Sequence, residues 1–481
     1  MNLVLIVSDT LRWDYVGAYG NGWIHTPNLD ILAAESALFL DAYSEGLPTI
    51  NARRVIMTGR NIFPFEYRPQ KSDPIQQHGW HPLYDEDVTL AEHLRGRGYF
   101  TAFFNDVYHL MKPGKNFHRG FEQWFWIRGQ EADPYALPDR PKVEELLRKL
   151  PGGRDIPDSS WIIRHLVLRQ QWKSDADTLV GQTMSQAARW VRNYNLQKPF
   201  YLHVECFDPH EPWDPPAEYA RRYEPGYGDS LDGCVPPGTT DGLAPQRLAN
   251  ILAAYAGEVT LVDRWVGHLL DALRETGRME DTLVIFTSDH GCMLGEQGQL
   301  HKGTDRLRNQ VTRVPLLIRH PGGEAAGRRV PGFCQHQDIM PAALSILGEP
   351  TPQRVLGRDI WPQALGQGGA PDHVVSGFCF HACIRTAQWN FVRPWFKPSA
   401  ARAEEGRLYG SVNAHEELYD LDADPHELTN VAERRPDVAR ELSGRLEEHV
   451  RRFAPLTTGT IQGVARIGEH MTFDGLPGID R

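Results

Sequence analysis

The sequence predicts an α/β fold in which helices sandwich a central, mostly parallel mixed sheet. Continuous apolar runs are typical of strands that are covered on both faces. They occur at Asn2–Ser8, Phe200–Val204, Thr282–Phe286 and Val314–Ile318. Stretches with apolar residues near helical spacing separate these runs, at Leu29–Phe39, Val88–Arg97, Ala176–Tyr194 and Arg247–Thr276. Because strands and helices alternate along the chain, most strands are expected to run parallel.

A smaller α+β unit is predicted to follow the main α/β domain. The composition turns to glycine and proline at Gly366–Asp372, and strand-like pieces and a charged amphipathic helix come after it. These pieces are Val374–Phe380, Cys383–Val392, Glu417–Leu421 and the helix Pro436–Phe453. We therefore predict a catalytic domain at 1–370, a C-terminal α+β subdomain at 371–453 and an arm at 454–481 that packs on the surface or forms a homo-oligomer contact.

Composition excludes several classes of protein. The 481 residues are 41% hydrophobic and 23% charged, which is ordinary globular usage. A formal net charge of -11 argues against a nucleic-acid partner. The chain has no apolar run of about 18 residues and no basic leader before its first strand, which predicts a cytoplasmic protein without a membrane partner. Six scattered cysteines predict buried thiols rather than a disulfide framework.

Acidic and imidazole side chains follow two of the predicted strands. Asp9 comes directly after the first strand, and Asp289 and His290 come directly after TLVIFTS. The ends of neighbouring parallel strands meet at one edge of a sheet, where carboxylate and imidazole groups can converge on a divalent cation. An aspartate alone at such a position is more often a helix cap, but two strands that end in this way favour a metal site.

A hydroxyl and a guanidinium lie four residues apart in Gly46–Arg60. Thr49 and Arg53 stand there at the start of a predicted helix, whose N-terminal N–H groups favour an anion. Arg53 can pair in bidentate fashion with phosphate-like oxygens, and Thr49 would point into the same site. The alternative is that Thr49 only caps this helix.

These segments together resemble the sulfatase family of the alkaline phosphatase superfamily. The segment 46–60 is similar to the sulfatase signature C/S-x-P-x-R with its T-G-R ending, although Asn51 stands where the family has proline. Further blocks look like those of the family in the same order, at 26–45, 287–303, 313–323 and 417–432. The resemblance spans roughly residues 2 to 452 and implies the alkaline phosphatase-like fold.

The resemblance also implies roles for individual residues. Asp9, Asp289 and His290 would be metal ligands, and Thr49 would be the nucleophile that completes the coordination sphere. Arg53 would hold the nucleophile and the anion. His210 in FDPHEPWDPP and Lys302 in LHKG would bind the transferred group and assist the leaving oxygen.

The departures from the family pattern bear on chemistry. No cysteine or serine stands at position 49, so no formylglycine is expected. Asn105, Asp106 and Tyr108 replace the Gly, Lys and His of another sulfatase block, and together with His301 they are predicted to bind substrate. Thr10 replaces the second of two paired aspartates that help to hold calcium. The first segment then looks more like that of phosphonate monoester hydrolases and phosphodiesterases, which favours manganese or zinc, with calcium possible.

The predicted function is hydrolysis of a small anionic ester. We expect a metal-dependent enzyme that cleaves phosphodiesters or phosphonate or phosphate monoesters by double displacement through Thr49. One alternative is a sulfatase that works without formylglycine. An alternative of another class is an anion-binding pseudoenzyme that keeps the fold.

Overall fold

The computed structural model describes residues 1–65, 77–130, 133–228, 230–234, 238–395 and 415–458. The strands are β1 Asn2–Ser8, β2 Ala37–Tyr43, β3 Gly46–Leu47, β4 Phe100–Asn105, β5 Gln123–Trp126, β6 Phe200–Cys206, β7 Gly238–Thr239, β8 Thr282–Ser288, β9 Met293–Leu294, β10 Gln299–His301, β11 Arg313–Arg319, β12 Arg329–Gln335, β13 His373–Phe378, β14 His381–Thr386, β15 Trp389–Pro394 and β16 Glu417–Asp420. The helices are α1 Pro27–Ala34, α2 Thr49–Thr58, α3 Leu90–Gly96, α4 Tyr108–Met111, α5 Arg140–Lys149, α6 Trp161–Arg169, α7 Leu179–Asn193, α8 Ala217–Arg221, α9 Pro245–Glu275, α10 Asn309–Thr312, α11 Ile339–Leu347, α12 Trp361–Ala364 and α13 Pro436–Thr458.

An eight-stranded sheet forms the centre of the fold. Its strand order is β12-β2-β11-β8-β1-β6-β4-β5. The five strands from β8 to β5 run parallel to their neighbours, and β11 pairs with β8 in the antiparallel direction. All seven residues of β1, β6 and β8 are buried, as expected of strands covered on both faces. The prediction of a mostly parallel mixed sheet with helices is confirmed.

The strands predicted for the central sheet agree closely with the structure, but the single piece predicted at Cys383–Val392 is two antiparallel strands, β14 and β15, joined by a short turn. One predicted helix is also partly wrong. The sequence predicts a helix over Leu29–Phe39, but α1 ends at Ala34 and β2 begins at Ala37. The apolar residues of ALFLDAY fit both the helical and the strand spacing, so helical spacing alone did not show where the helix ends. The helices predicted at Val88–Arg97, Ala176–Tyr194, Arg247–Thr276 and Pro436–Phe453 correspond to α3, α7, α9 and α13.

A second, smaller sheet has five strands in the order β16-β15-β14-β13-β3. Its C-terminal strands are antiparallel, and their apolar residues share one core with Leu442, Leu446 and Val450 of α13. The strand β3, which comes from residues 46–47, pairs in parallel with β13. Its two residues are too few to show a strand pattern, so the sequence did not predict this pairing.

The chain divides into two compact units that interleave along the sequence. The first unit comprises 1–40, 88–289 and 315–330, and the second comprises 41–87, 290–314 and 331–481. The division predicted from the sequence, at 1–370, 371–453 and 454–481, stays a prediction. The helix α13 runs to Thr458, and the remainder of the proposed arm lies outside the described residues.

Two further expectations concern the cysteines and the membrane. All six cysteines lie in the described part of the chain, none of them forms a disulfide, and five are buried. Among the described helices, none is both long and apolar enough to cross a membrane.

Candidate active site

The carboxyl ends of β1 and β8 bring Asp9 and Asp289 to the same edge of the sheet. The two strands pair in parallel with Ser8 opposite Ser288, so each aspartate is the next residue of its chain segment. Both side chains are fully buried. Thr10 lies against both: its N–H donates to Asp289 Oδ1 at 2.8 Å, and its hydroxyl donates to Asp9 Oδ1 at 2.7 Å. The prediction that two strand ends would bring these carboxylates together therefore holds.

The loop after β1 is held in place by the long helix α9. The Tyr255 hydroxyl of that helix donates to the Thr10 carbonyl at 2.8 Å and accepts from the Arg12 N–H at 3.0 Å. The Ser288 hydroxyl donates to the Leu11 carbonyl at 2.7 Å. Thr10 has a φ of 60°, which is uncommon for a β-branched residue and costs free energy. These hydrogen bonds hold the strained residue that supports both carboxylates.

His290 completes a group of three potential metal ligands. Asp9, Asp289 and His290 each offer one ligand atom, and these atoms lie within 4.8 Å of one another. The Nδ1 atom of His290 lies 3.0 Å from the Gly291 carbonyl. A ring that donates from Nδ1 carries its lone pair on Nε2, which is the usual arrangement in a metal-binding histidine.

The donor set fits a divalent cation. Two buried carboxylates close together repel each other unless a cation or a proton intervenes. Carboxylate oxygens with one imidazole nitrogen suit manganese and zinc, whereas calcium prefers oxygen ligands throughout. The chemistry of the three residues thus agrees with the expected divalent metal, and manganese or zinc remains the predicted choice over calcium.

In the second unit, Thr49 and Arg53 lie on one face of α2. Thr49 is the first residue of the helix and Arg53 follows one turn later; both side chains are buried, with exposed fractions of 3% and 0%. The N-cap position is taken by Pro48, whose side chain makes no capping hydrogen bond. The alternative that Thr49 merely caps its helix therefore loses support. The placement at the helix N-terminus keeps the predicted anion site chemically reasonable.

The far end of α2 is fixed by ion pairs and by a left-handed glycine. Arg54 contacts both oxygens of the buried Asp87 carboxylate, and Arg60 contacts one of them at 3.4 Å. Gly59 ends the helix with a φ of 63°. The Asn51 side chain donates to the Leu47 carbonyl at 2.6 Å, which ties the helix to β3. The T-G-R ending thus has a structural role that holds α2 in position.

Asn105 is the last residue of β4 in the first unit, and Asp106 and Tyr108 follow it. Asp106 is buried and accepts hydrogen bonds from the Phe207 N–H at 2.7 Å and the Thr183 hydroxyl at 3.0 Å. Burial raises the pKa of Asp106 well above its ordinary value, and the nearby Asp208 carboxylate raises it further. The Tyr108 ring stacks on Trp126 with centroids 6.3 Å apart. The Asp106 side chain therefore connects the segment after β4 with α7 and with the loop after β6. The substrate-binding roles of Asn105, Asp106 and Tyr108 stay predictions.

His210 lies in the first unit, in the loop that follows β6. Its ring stacks on Phe207 with centroids 4.0 Å apart, and its Nδ1 lies 2.7 Å from the Glu211 carbonyl. His301 and Lys302 belong to the second unit, where His301 is buried with a φ of 64° and Lys302 is half-buried. The predicted roles of these three residues remain predictions.

Sequence reasoning missed one polar chain inside β6. The Tyr201 hydroxyl lies 2.8 Å from His203 Nδ1, and His203 Nε2 lies 2.9 Å from Glu205 Oε1. All three side chains are buried and face one side of the sheet. Glu205 stands opposite Asn105 in the pairing of β6 with β4. The signal was present in FYLHVEC, where a polar group stands at every second position of an otherwise apolar strand.

The comparisons with known proteins agree with this architecture. A sequence model of the sulfatase family matches residues 1–349, and one described as "N-sulphoglucosamine sulphohydrolase, C-terminal" matches residues 295–452. An arylsulfatase of Clostridium perfringens is 27% identical over 467 residues, covering 89% of this chain and 90% of its own. PehA of Trinickia caryophylli, a multifunctional alkaline phosphatase superfamily protein, is 25% identical over 491 residues, covering 90% and 91%. The phosphonate monoester hydrolase of Agrobacterium radiobacter superposes with a TM-score of 0.68 at 22% identity, covering 93% and 95%.

The first of these matches spans well over half of the chain, and the buried Asp9–Asp289–His290 group lies within it. The chain therefore belongs to the sulfatase family. It is a hydrolase of that family, with the α/β fold that sulfatases and phosphonate monoester hydrolases share.

Proposed function

We propose that this protein hydrolyses phosphodiesters or phosphonate or phosphate monoesters by double displacement through Thr49. The observation that carries the proposal is the threonine itself, buried at the N-terminus of α2 one turn before Arg53. A formylglycine hydrate releases sulfate when it collapses to the aldehyde. A sulfated threonine has no such exit, whereas a phosphorylated threonine can be hydrolysed by in-line attack of water at phosphorus.

We assign a separate role in the two displacement steps to Thr49, to Arg53 and to Lys302 or His210. The Thr49 oxygen attacks phosphorus, the bond to the leaving alcohol breaks, and Lys302 or His210 supplies positive charge or a proton to the departing oxygen. Water then attacks the phosphothreonine, and the Thr49 oxygen leaves. Arg53 offers up to two parallel N–H groups to the oxygens of the transferred group in both steps.

Asp9, Asp289 and His290 would hold the divalent cation, with Thr49 as a fourth ligand. When bound, such a cation neutralises the oxygens of the transferred group and lowers the pKa of a coordinated hydroxyl. Electrostatic groups of this kind typically contribute about 10²–10³ in rate for each donor. Asn105, Asp106, Tyr108 and His301 are proposed to contact the rest of the substrate.

A sulfatase is the second candidate, and one observation favours it. Relatives at 27% and 28% identity carry the names arylsulfatase, from Clostridium perfringens, and arylsulfatase A, from Homo sapiens. If this chain shares the activity that these names describe, its substrate is a sulfuric ester. Its chemistry at Thr49 would have to differ from the formylglycine route, because threonine is not the residue that is converted.

A substrate panel with a trapping step tests the proposal. The metal-reconstituted protein is assayed with a phosphate monoester, a diester, a phosphonate and a sulfate that share one aryl leaving group. Turnover of the phosphorus esters is quenched in acid, and the peptide that contains Thr49 is analysed by mass spectrometry. We expect an adduct of one phosphoryl or phosphonyl group on Thr49 in the wild type, retained in Thr49→Ser and absent from Thr49→Ala.

Each contrary outcome points to a specific alternative. Near-normal turnover by Thr49→Ala would show that water attacks directly and that Thr49 is no nucleophile. Sulfate turnover equal to that of the phosphorus esters would support the sulfatase. A protein that binds anions but holds no divalent metal and turns over none of the four esters would be the pseudoenzyme.

A further inference from the structure

A small cavity lies in the first unit beneath the loop that follows β6. Its walls come from that loop, from the 130–179 region and from the long helix α9. It has room for about one water molecule. Among the residues that line it are three acids, Asp208, Asp214 and Glu258, and one imidazole, His165.

The acids of this cavity differ in how they are neutralised. The Asp214 carboxylate is compensated, because one of its oxygens lies 2.7 Å from Arg169 Nε and 2.9 Å from His165 Nε2. No described lysine or arginine side chain forms an ion pair with Asp208 or Glu258. The cavity thus holds more buried acid than the neighbouring basic side chains balance.

Glu258 provides the independent sign that something occupies the cavity. Its exposed fraction is 3%, and its Oε1 accepts the Asp214 N–H at 2.7 Å. Within the described residues, its Oε2 is buried and has no hydrogen-bond partner. A buried carboxyl oxygen without a partner costs free energy whether the group is charged or protonated, so a ligand at Oε2 is expected.

The surroundings strengthen the electrostatic argument. Burial raises the pKa of Glu258 well above its ordinary value, and the Asp208 and Asp214 carboxylates raise it further. Burial, followed by the Asp214 carboxylate, also raises the pKa of Asp208 to about 7. These directions describe acids that lack a counter-charge, which a bound cation would supply.

We propose that this cavity binds one monovalent cation of about the size of a water molecule, K⁺ or NH₄⁺, with Glu258 Oε2 and Asp208 among its ligands. The site is distinct from the Asp9–Asp289–His290 group and does not depend on the proposed reaction. Nothing beyond the residues of the first unit is needed to form it.

The geometry favours a monovalent ion over a divalent one. Among the described residues, Asp9, Asp289 and His290 are the group whose ligand atoms come together within 4.8 Å, and the acids of this cavity are not part of such a group. Small divalent ions require ligand oxygens that crowd at short distances. A looser set of oxygens with one or two net negative charges suits a larger ion of single charge.

The test measures ion binding directly and uses a matched variant on the same helix. Protein freed of small cations in tetramethylammonium chloride is dialysed against radioactive Rb⁺ as the probe, and K⁺, NH₄⁺ and Na⁺ compete at equal ionic strength. Glu258→Gln removes the charge with little change in shape. Glu275→Gln makes the same change at the exposed end of α9.

We expect about one Rb⁺ per chain in the wild type and in Glu275→Gln, and at least a tenfold weaker association in Glu258→Gln. The site prefers whichever of the two ions, K⁺ or NH₄⁺, displaces Rb⁺ at the lower concentration. A crystal of the wild type soaked in thallous ion provides a second measurement that does not depend on the variant, with an anomalous peak expected beside Glu258.

Two results would overturn the proposal. One is a wild type that retains no Rb⁺ and shows no thallium peak, which would mean that the cavity holds a water molecule and that Glu258 is protonated. The other is a Glu258→Gln variant that binds Rb⁺ as tightly as the wild type, which would place the ion elsewhere.

Discussion

Thr10 offers a direct test of whether the fold orients Asp9 and Asp289 as the predicted metal ligands. Its hydroxyl donates to Asp9 Oδ1 at 2.7 Å in a fully buried setting, and its backbone N–H donates to Asp289 Oδ1. Thr10→Val removes only the hydroxyl, because valine has the same branched shape and so the same strain at a φ of 60°. The backbone hydrogen bond to Asp289 stays in place.

The expected loss follows from the role of that hydrogen bond. Partners that orient a metal-binding side chain are typically worth about 10–100-fold in metal affinity, which corresponds to about 1.4–2.7 kcal/mol. Titration of the metal-free protein with Mn²⁺ or Zn²⁺ in competition with a chromophoric chelator measures this change. Thr10→Ser, which keeps the hydroxyl, is the control and should bind within a few-fold of the wild type. Equal affinities in Thr10→Val and the wild type would refute the reasoning.

Three further predictions address the metal, the leaving group and the smaller sheet. Asp289→Ala and His290→Ala should each lose bound metal and activity together, and full metal occupancy in elemental analysis of both would remove them from the coordination sphere. Lys302→Ala should slow hydrolysis of alkyl esters more than of nitrophenyl esters, since charge at the leaving oxygen matters most for poor leaving groups; equal losses would argue against that role. Glu427→Ala should lower the free energy of unfolding by about 3–5 kcal/mol, because the Arg385 guanidinium that pairs with it at 2.6 Å would be left buried. Urea denaturation measures that loss, and an unchanged midpoint would contradict it.

The parallel sheet could be predicted because its strands are recognisable in the sequence as continuous apolar runs. Asn2–Ser8 and the run at 282–286 are continuous apolar segments, and an aspartate follows each of them, Asp9 directly and Asp289 after two intervening residues. In-register pairing of β1 with β8 then turns two separate sequence positions into neighbours. The convergence of Asp9 and Asp289 thus followed from strand order and from the shared direction of the strands.

Other parts of the site were beyond sequence reasoning for physical reasons. The hydrogen bonds of Thr10 depend on a left-handed backbone conformation that no residue type at that position signals, since threonine avoids it. The place of β3 depends on a partner strand more than 300 residues later. The cavity at Glu258 arises from the helix α9, the loop after β6 and residues between 130 and 179, which come together only in three dimensions.

The pairing of β3 with β13 has a consequence for biosynthesis. Gly46 and Leu47, which lead into the helix of Thr49, find their partners only at Gly377 and Phe378. At about 5–20 residues per second, a ribosome needs roughly 16–66 s to make the intervening chain. For that time the residues that flank Thr49 lack a strand to pair with, and late-forming long-range pairing of this kind slows folding and exposes apolar surface. We therefore expect the nascent chain to depend on chaperones until Gly377 and Phe378 have emerged.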